Sequence, residues 1–444
     1  MLTLEELGAA AAAGEVDTVI AAFTDMQGRL IGKRLDADYF MESAGRGETV
    51  EGCNYLLAVD MEMDPVAGYE MANWEKGYGD FELRPDFATM RRVPWLEGTA
   101  LVLCDVAWPD GTPVRASPRQ VLRVQVERVR ALGFEPMLGS ELEFYLLKET
   151  YAEAHARGYR DLTPSVPYNL DYHVLATSYD EPFIRSVRRG MKEAGIRVES
   201  SKGEAWPGQQ EINFRFADAL TMADNHVIYK NGIKEMAQQS GCSVTFMAKP
   251  DHRWIGSSCH IHSSLWKDGR NTFEGESDTF RRYLAGHIAC ATELAVFLAP
   301  TVNSYKRYSA GTWAPTTIAW GRDNRTCGFR IVGHGSRLHT ETRIPGADVN
   351  PYLAFAALLA AGVHGIEKGL ELPPAFTGNA YQSDLQRFPH ALRDAIAALE
   401  AGTMARAAFG DDVVDHYLHY ARTEQDQFDR VVTGYERERL FERG

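Results

Sequence analysis

The sequence has little of what marks a secreted or membrane-spanning protein. Its six cysteines are spread over 444 residues and include no CxxC pair, so we expect reduced thiols and no disulfide framework. The most apolar stretch, 353–363, is too short to cross a bilayer. The N-terminus is acidic and rich in alanine, whereas a signal peptide begins with basic residues. These features predict a cytoplasmic protein with no membrane partner.

An excess of positive charge is also missing. The 47 Lys and Arg residues face 61 Asp and Glu residues, a net charge of −14, so we expect no nucleic-acid partner. A small polyphosphate ligand needs only a few local arginines and is compatible with this charge. The chain contains no GxxxxGK[ST] motif and no protein-kinase signature, so a bound nucleotide would lie in another kind of fold.

What is present is an ordinary globular composition with mixed helix and strand patterns. Hydrophobic residues make up 45% of the chain, which is enough for a large core. Short apolar segments interrupted by Gly, Pro and Asp run through 52–110, and helix and strand patterns then mix without regular βαβ spacing. This pattern predicts an α+β fold, with long helices over 278–298, 350–370 and 411–437.

Two predicted strands each carry a pair of residues suited to a metal site. Glu141 and Glu143 in GSELEF are two residues apart and point to one face of their strand, and so do His260 and His262 in SCHIHSS. Two buried carboxylates need a cation, and imidazole beside carboxylate suits a divalent metal. The alternatives are a solvated edge strand for the glutamates and hydrogen-bonded core positions for the histidines.

Further acids and a series of arginines complete the candidate chemistry. Glu204 and Glu211 flank a Pro-Gly turn that could return both carboxylates to one site, and Glu341 lies near the end of the series. Guanidinium groups bind carboxylates and phosphates bidentately, although any single arginine could form a surface ion pair. Carboxylates that suit Mg²⁺ or Mn²⁺, combined with arginines, fit phosphoryl transfer. The arginines are Arg307, Arg325, Arg330 and Arg343.

In these segments the chain resembles the glutamine synthetase family. The resemblance implies an N-terminal β-grasp-like domain over 1–108 and a catalytic domain over 109–444 that holds a curved antiparallel sheet. It also implies a homo-oligomer, commonly a dodecamer of two stacked hexamers, with each active site between neighbouring subunits. The matching segments follow the family's order over nearly the whole chain: FTDMQGR, GSELEF, GEAWPGQQEI, TFMAKP, GSSCHIHSSLW, NSYKR and ETRIPGADVNPYLAFAALLAAG.

The resemblance implies an ATP-dependent reaction. The γ-carboxylate of glutamate attacks ATP to give γ-glutamyl phosphate, and ammonia or an amine then displaces phosphate. Two or three Mg²⁺ or Mn²⁺ ions per site are implied as cofactors. The residues that match the family's first metal site are Glu143, Glu204 and Glu211, and those that match the second are Glu141, His260 and Glu341.

Substrate contacts are implied by the same resemblance. Arg307 and Arg343 match the positions that bind the glutamate carboxylate, and Gly256 matches backbone that meets the substrate amino acid; Glu143 is also expected beside this substrate. The positions that match phosphate contacts are Arg325 and Arg330, and those that match nucleotide contacts are His262 and Ser264.

The chain departs from the family pattern where ammonium would bind. Ordinary glutamine synthetases carry a glutamate six residues after the arginine of NSYKR, and this position is Trp313 here. An indole is uncharged and accepts no proton, so ammonium capture should weaken, and an amine is offered an apolar wall or a π face. Glu51 and Asp80 match acids near the ammonium site, and one of them could act as the base from a neighbouring subunit. Ile255 replaces an asparagine that helps to hold glutamate.

Two segments resemble the ethanolamine-using branch of the family, VEGCNYLLAVD and GADVNP. We therefore predict an ATP-dependent γ-glutamyl–amine ligase whose acceptor is a small primary monoamine: ethanolamine, an alkylamine or an aromatic amine. The first alternative is a true glutamine synthetase. The second is a catalytically inactive member with a structural or regulatory role, although such a chain need not keep every metal and arginine position.

Overall fold

The computed structural model describes all 444 residues, which form two β-sheets and fifteen α-helices. The strands are β1 (Thr18–Thr24), β2 (Leu30–Asp36), β3 (Val50–Cys53), β4 (Asp80–Pro85), β5 (Arg91–Arg92), β6 (Thr99–Ala107), β7 (Glu135–Leu147), β8 (Val198–Gly203), β9 (Gln209–Phe214), β10 (Ala217–Asp218), β11 (Ser243–Thr245), β12 (Cys259–Lys267), β13 (Arg270–Asn271), β14 (Trp320–Arg322), β15 (Phe329–Val332) and β16 (His339–Thr342). The helices are α1 (Leu4–Ala12), α2 (Ala37–Gly45), α3 (Pro118–Ala131), α4 (Tyr151–Ala156), α5 (Val174–Thr177), α6 (Glu181–Glu193), α7 (Ala219–Gln239), α8 (Asp278–Cys290), α9 (Ala295–Leu298), α10 (Val302–Tyr305), α11 (Pro351–Lys368), α12 (Leu392–Ala401), α13 (Met404–Phe409), α14 (Asp411–Asp429) and α15 (Gly434–Leu440).

The first sheet contains the strands up to residue 107, in the order β2-β1-β6-β4-β3, with β5 beside β6. β1 and β6 run parallel, and the other neighbours are antiparallel. Phe23 and Phe81 are buried under this sheet and meet edge to face, with ring centroids 5.5 Å apart. The division into domains at residue 108 stays a prediction.

The second sheet positions the candidate site. Its order is β14-β15-β16-β12-β7-β9-β8, and it is antiparallel except for the parallel pair β14 and β15. The long central strand β7 pairs with β12 on one side and β9 on the other. This register sets Glu141 opposite His260 and Glu143 opposite Glu211, because facing residues of paired strands share a sheet face.

The apolar stretch 353–363 forms the buried middle of α11. Only backbone fits between α11 and α8: a Cβ on Gly365 would lie 2.1 Å from the carbonyl oxygen of Arg282. Asn350 caps α11 by accepting the N–H of Tyr352, and its Nδ2 donates to carbonyls of the loop after β1. Judged by length and hydropathy, none of the helices qualifies as a membrane span.

The α+β class is confirmed, and two of the predicted long helices are wrong in their extent. The pattern over 278–298 is divided into α8 and α9, because the chain turns where Glu293 accepts the backbone N–H of Ala405. The pattern over 411–437 is divided into α14 and α15, because Thr433 and Glu436 form a capping box that starts a new helix.

Candidate active site

One face of the second sheet opens into a cavity of about 700 Å³. Its walls come from β7, β8, β9 and β12 and from the loops around residues 256, 313 and 325. The cavity brings together residues from segments that are far apart in the sequence. The sequence-predicted residues that line it are Glu141, Glu143, Glu204, Glu211, Ile255, Gly256, His260, Arg307, Trp313, Arg325, Arg330 and Arg343.

Three carboxylates meet on one side of the cavity. One oxygen each of Glu143, Glu204 and Glu211 lies within 4.8 Å of the others. Glu143 is fixed by Ser258, whose backbone N–H donates at 2.8 Å and whose hydroxyl donates at 2.5 Å. Lys202 forms an ion pair with Glu204 and is the one basic side chain that pairs with this group.

The electrostatics of this group favour a bound cation. Burial and then the charge of Glu204 raise the pKa of Glu143 to about 8. Burial and then the charges of Glu141 and Glu204 raise the pKa of Glu211 to about 11. A divalent cation would remove this cost by stabilising all three anions, and three carboxylates are a donor set that Mg²⁺ or Mn²⁺ prefers. The donor chemistry therefore fits a metal.

A second ligand group lies next to the first. Ligand atoms of Glu141, His260 and Glu341 are within 4.8 Å of one another, and Nδ1 of His260 is 2.6 Å from Glu141 Oε1. Burial and then the charge of Arg343 lower the pKa of His260 to about 4, so its ring is neutral at pH 7 and can act as a ligand. Glu341 accepts hydrogen bonds from Arg330 at 2.8 Å and Arg343 at 2.5 Å. Burial opposes its ionisation, but His260 and Arg343 hold its pKa near 2.

Two buried guanidinium groups keep free hydrogen-bond donors. Arg307 donates from Nη2 to the backbone carbonyls of 343, 344 and 345, at 2.8–3.1 Å. The Nε atoms of Arg307 and Arg343 are buried and have no hydrogen-bond partner. An unpaired buried donor costs about 1–3 kcal/mol, and a carboxylate ligand would remove that cost. Both arginines therefore fit the binding of an anionic substrate.

Gly256 sets the position of Arg307. A Cβ at Gly256 would lie 2.4 Å from Cγ of Arg307 and 2.7 Å from the carbonyl oxygen of Ala248, so an alanine would displace the arginine. We expect Gly256→Ala to raise the KM for glutamate by about 10- to 100-fold, the loss of about 1.4–3 kcal/mol of binding. Steady-state kinetics with varied glutamate measure the effect. The control is Gly45→Ala, since no atom lies within 4 Å of a Cβ there; equal KM values in both variants would contradict the prediction.

Trp313 stands between the candidate active-site cavity and a neighbouring cavity of about 510 Å³. Its side chain is 55% exposed, and its φ of 64° is in the left-handed region, which is rare for a bulky residue. Arg325 also lines both cavities and makes no ion pair. Arg330 donates from Nε to Asp323 at 3.0 Å in addition to its bond with Glu341.

Five of the predicted residues do not line the cavity in this chain. Glu341 is buried beside His260. His262 lies farther along β12, with Nδ1 3.0 Å from Nε2 of His339, and Ser264 accepts a hydrogen bond from the Trp266 indole. Glu51 is exposed on the edge strand β3 of the first sheet, and Asp80 is exposed on β4, which pairs with β3. A role for these two acids in the site of a neighbouring subunit stays a prediction.

Sequence reasoning missed several residues of the site. Lys202 and Tyr172 line the cavity, with the Lys202 ammonium 4.3 Å from the centre of the Tyr172 ring. Lys202 lies two residues before Glu204, and His339 two residues before Glu341, so strand alternation could have indicated both. Ser258 stands in the GSSCHIH segment, but its bond to Glu143 spans 115 residues and has no local signal.

The raised pKa of Glu143 predicts how the cation-free protein responds to pH. Because the folded state holds this proton more tightly than the unfolded state, the stabilisation is lost as the pH rises from 4.5 through about 8. Glu143 should add up to about 1.4 kcal/mol per pH unit to the fall in the free energy of unfolding between about pH 7 and pH 8, where histidines have finished titrating. Glu211, whose pKa is raised to about 11, contributes a fall of similar size over the same range. Denaturant unfolding with a chelator measures this slope. Mg²⁺ should flatten this slope, Glu143→Gln should reduce it to the contribution of Glu211, and an unchanged slope in Glu143→Gln would refute the assignment.

Comparisons with known proteins follow the whole length of the chain. Residues 115–440 match the family described as glutamine synthetase, catalytic domain. Gamma-glutamylethanolamide synthetase GlnA4 of Streptomyces coelicolor is 53% identical over 446 aligned residues, covering 100% of this chain and 96% of that protein. Glutamate–isopropylamine ligase of a Pseudomonas species is 38% identical over 96% of this chain and 95% of its own length. A solved structure, the GmaS/ADP complex, aligns with a TM-score of 0.85 at 28% identity, covering 98% of this chain and 99% of that one.

Proposed function

The chain belongs to the glutamine synthetase family, and from this membership we propose that it joins the γ-carboxylate of L-glutamate to a small primary monoamine. The reaction consumes ATP and yields a γ-glutamylamide, ADP and phosphate. The choice of an amine over ammonium rests on Trp313, whose uncharged aromatic side chain forms a wall of the cavity. The same cavity also contains acids and arginines. The similarity to gamma-glutamylethanolamide synthetase and glutamate–isopropylamine ligase supports the same choice.

Glutamate binds at the arginine end of the cavity in this proposal. The unpartnered Nε donors of Arg307 and Arg343 bind its α-carboxylate, since both groups are buried and positively charged. Gly256 leaves room for the substrate backbone beside Arg307, because its lack of a side chain permits close approach. The γ-carboxylate is then directed toward the two groups of metal ligands.

ATP places its γ-phosphate between the ligand groups and Arg325 and Arg330. The two groups of carboxylate and imidazole ligands, built on Glu143 and on His260, would hold divalent cations, which neutralise phosphate charge during transfer. Arg330 is already held by Glu341 and Asp323, so its guanidinium is oriented before substrate binds. Arg325 makes no ion pair and is free to follow the transferred phosphate.

The acceptor amine binds between Trp313 and Tyr172. The contacts of Lys202 support this placement, because its primary ammonium group pairs with Glu204 and lies over the Tyr172 ring. The indole supplies an apolar surface for the carbon chain or ring of the amine and excludes water from the γ-glutamyl phosphate. Either Glu51 or Asp80 of a neighbouring subunit takes the proton of an ammonium acceptor.

Phosphate release from ATP with Mg²⁺ and glutamate tests the proposal directly. The acceptors to compare are ammonium, methylamine, ethanolamine, isopropylamine, putrescine and aniline, with each product identified by mass. We expect rapid turnover with one or more monoamines and little with ammonium. Efficient glutamine formation would instead identify a true glutamine synthetase, and cation binding without phosphate release for any acceptor would identify an inactive family member.

We further propose the assembly and cofactors that the family resemblance implies. Two or three Mg²⁺ or Mn²⁺ ions bind per site, His262 and Ser264 contact the nucleotide, and twelve chains form two stacked hexamers. All six cysteines are free thiols, which supports a reducing compartment such as the cytoplasm. Sedimentation of the full chain tests the assembly, because a dodecamer and a monomer differ about twelvefold in mass.

A further inference from the structure

We propose that a basic groove outside the catalytic cavity binds a small molecule bearing a chain of linked phosphates. The groove is a cavity of about 1010 Å³ between α6 and the outer ends of β8 and β9. Its lining contains six basic residues and a single acid, Glu199, in a chain of net charge −14. The basic residues are Arg185, Arg188, Arg189, Lys192, Arg197 and Arg215.

The spacing of these residues is unfavourable in the absence of an anion. Arg185 and Arg189, like Arg188 and Lys192, are four residues apart on α6, where like charges repel. The backbone N–H of Arg215 donates to the carbonyl of Arg197 at 2.9 Å. The side chains of these two arginines therefore branch from neighbouring points of the backbone. The chain therefore keeps repulsive pairs that a phosphate chain would relieve.

Few acids of the protein neutralise the groove. Arg188 forms a close pair with Glu181 at 2.6 Å, and Arg189 approaches Glu193 only to 3.8 Å. The other four basic residues form no ion pair. A row of cations on a convex surface is ordinarily just solvated, whereas here the cations line a concave space, which concentrates their potential. This combination favours a ligand over simple solvation.

The chemistry of the lining selects linked phosphates. Guanidinium groups bind phosphate oxygens bidentately. Five guanidinium groups and one ammonium group match an anion with several charges rather than a single carboxylate. The exposed ring of Phe216 completes the lining. The groove adjoins the catalytic cavity, because Val198 lines the former and Ser200 the latter on the same strand. The source of the phosphates could be inorganic polyphosphate or a free nucleotide.

Calorimetric titration of the full chain with inorganic tripolyphosphate, in the presence of a chelator, tests the groove without using the ligase reaction. Arg185→Gln combined with Lys192→Gln should weaken binding at least about tenfold and reduce its dependence on salt, since two phosphate contacts are lost. Lys33→Gln combined with Arg34→Gln is the matched control, because it removes the same charge from exposed β2. Circular dichroism checks that both double variants are folded.

The proposal would be overturned if tripolyphosphate did not bind, or if the two double variants weakened its binding equally. Loss of binding in Arg330→Gln would also overturn it, because the ligand would then belong to the catalytic cavity. A parallel titration with ATP under the same cation-free conditions identifies the source. Competition between ATP and tripolyphosphate that depends on Arg185 and Lys192 supports a nucleotide at the groove. Tripolyphosphate binding that ATP leaves unchanged supports inorganic polyphosphate there.

Discussion

Glu211→Gln is expected to lower kcat for amide formation by at least about 1000-fold, a loss of about 4 kcal/mol of transition-state stabilisation. Glu211 belongs to the carboxylate group with Glu143 and Glu204, and the amide would remove one of its three anions while keeping nearly the same shape. A cation would then be held by fewer charges, and phosphate transfer would lose its stabilisation. Single-turnover kinetics with saturating ATP and glutamate measure the effect.

The same variant should also differ from the parent protein in its thermal stability when no substrate is present. Burial and the charges of Glu141 and Glu204 raise the pKa of Glu211, so folding without a cation requires this carboxyl to take up a proton. The amide is neutral without a proton, so the cation-free variant should unfold at a higher temperature. Added Mg²⁺ should stabilise it less than the parent. Glu135→Gln, at the exposed start of β7, is the control and should change neither quantity. Full activity in Glu211→Gln would refute the assignment of this group.

The sequence was informative wherever the site depends on strand periodicity. Glu141 and Glu143 share a face of β7, and His260 shares a face of β12 with His262, as the two-residue spacing predicts. The family and fold predictions are confirmed by the catalytic-domain match and by the GmaS structure. The resemblance placed the candidate metal ligands in two sets, and the structure brings the members of each set together, although their binding of a metal stays a prediction.

What could not be predicted depends on long-range register and on breaks in helices. The approach of Ser258 to Glu143 and of Lys202 to Tyr172 requires the mutual placement of loops and strands, which the residues do not encode locally. The turn between α8 and α9 depends on Glu293 meeting α13, more than 100 residues later. Hydrophobic periodicity continues through such a turn, and so it predicted one helix where two exist.

The backbone at Trp313 indicates that its position matters for function. A left-handed φ costs a bulky residue on the order of 1 kcal/mol or more, and about half of the Trp313 surface is exposed. Arg343 reaches toward the Trp313 carbonyl at 3.5 Å, which connects this loop to the proposed glutamate site. The loop therefore presents the side chain to the cavity where the acceptor would attack.

Trp313→Glu is expected to shift the preference of the enzyme from amines toward ammonium. A carboxylate at this position can bind ammonium and accept its proton, and a charged contact of this kind contributes about 1.5–3 kcal/mol. The ratio of kcat/KM for ammonium to that for the best monoamine should rise by about 10- to 100-fold. Part of the change comes from the lost apolar surface, which weakens the binding of the amine's carbon chain. Competition between isotopically labelled ammonium and the monoamine measures the ratio in one reaction.

Trp313→Gln separates the charge from the loss of the indole, because glutamine matches glutamate in size and cannot take a proton at neutral pH. If the carboxylate matters, Trp313→Gln should lose activity with the monoamine and gain none with ammonium, whereas Trp313→Glu gains it. Equal ratios in the two variants would mean that Glu51 or Asp80 already supplies the base and that the indole acts only by its shape. In that case the choice between ammonium and an amine would be made by the volume of the pocket and not by its charge.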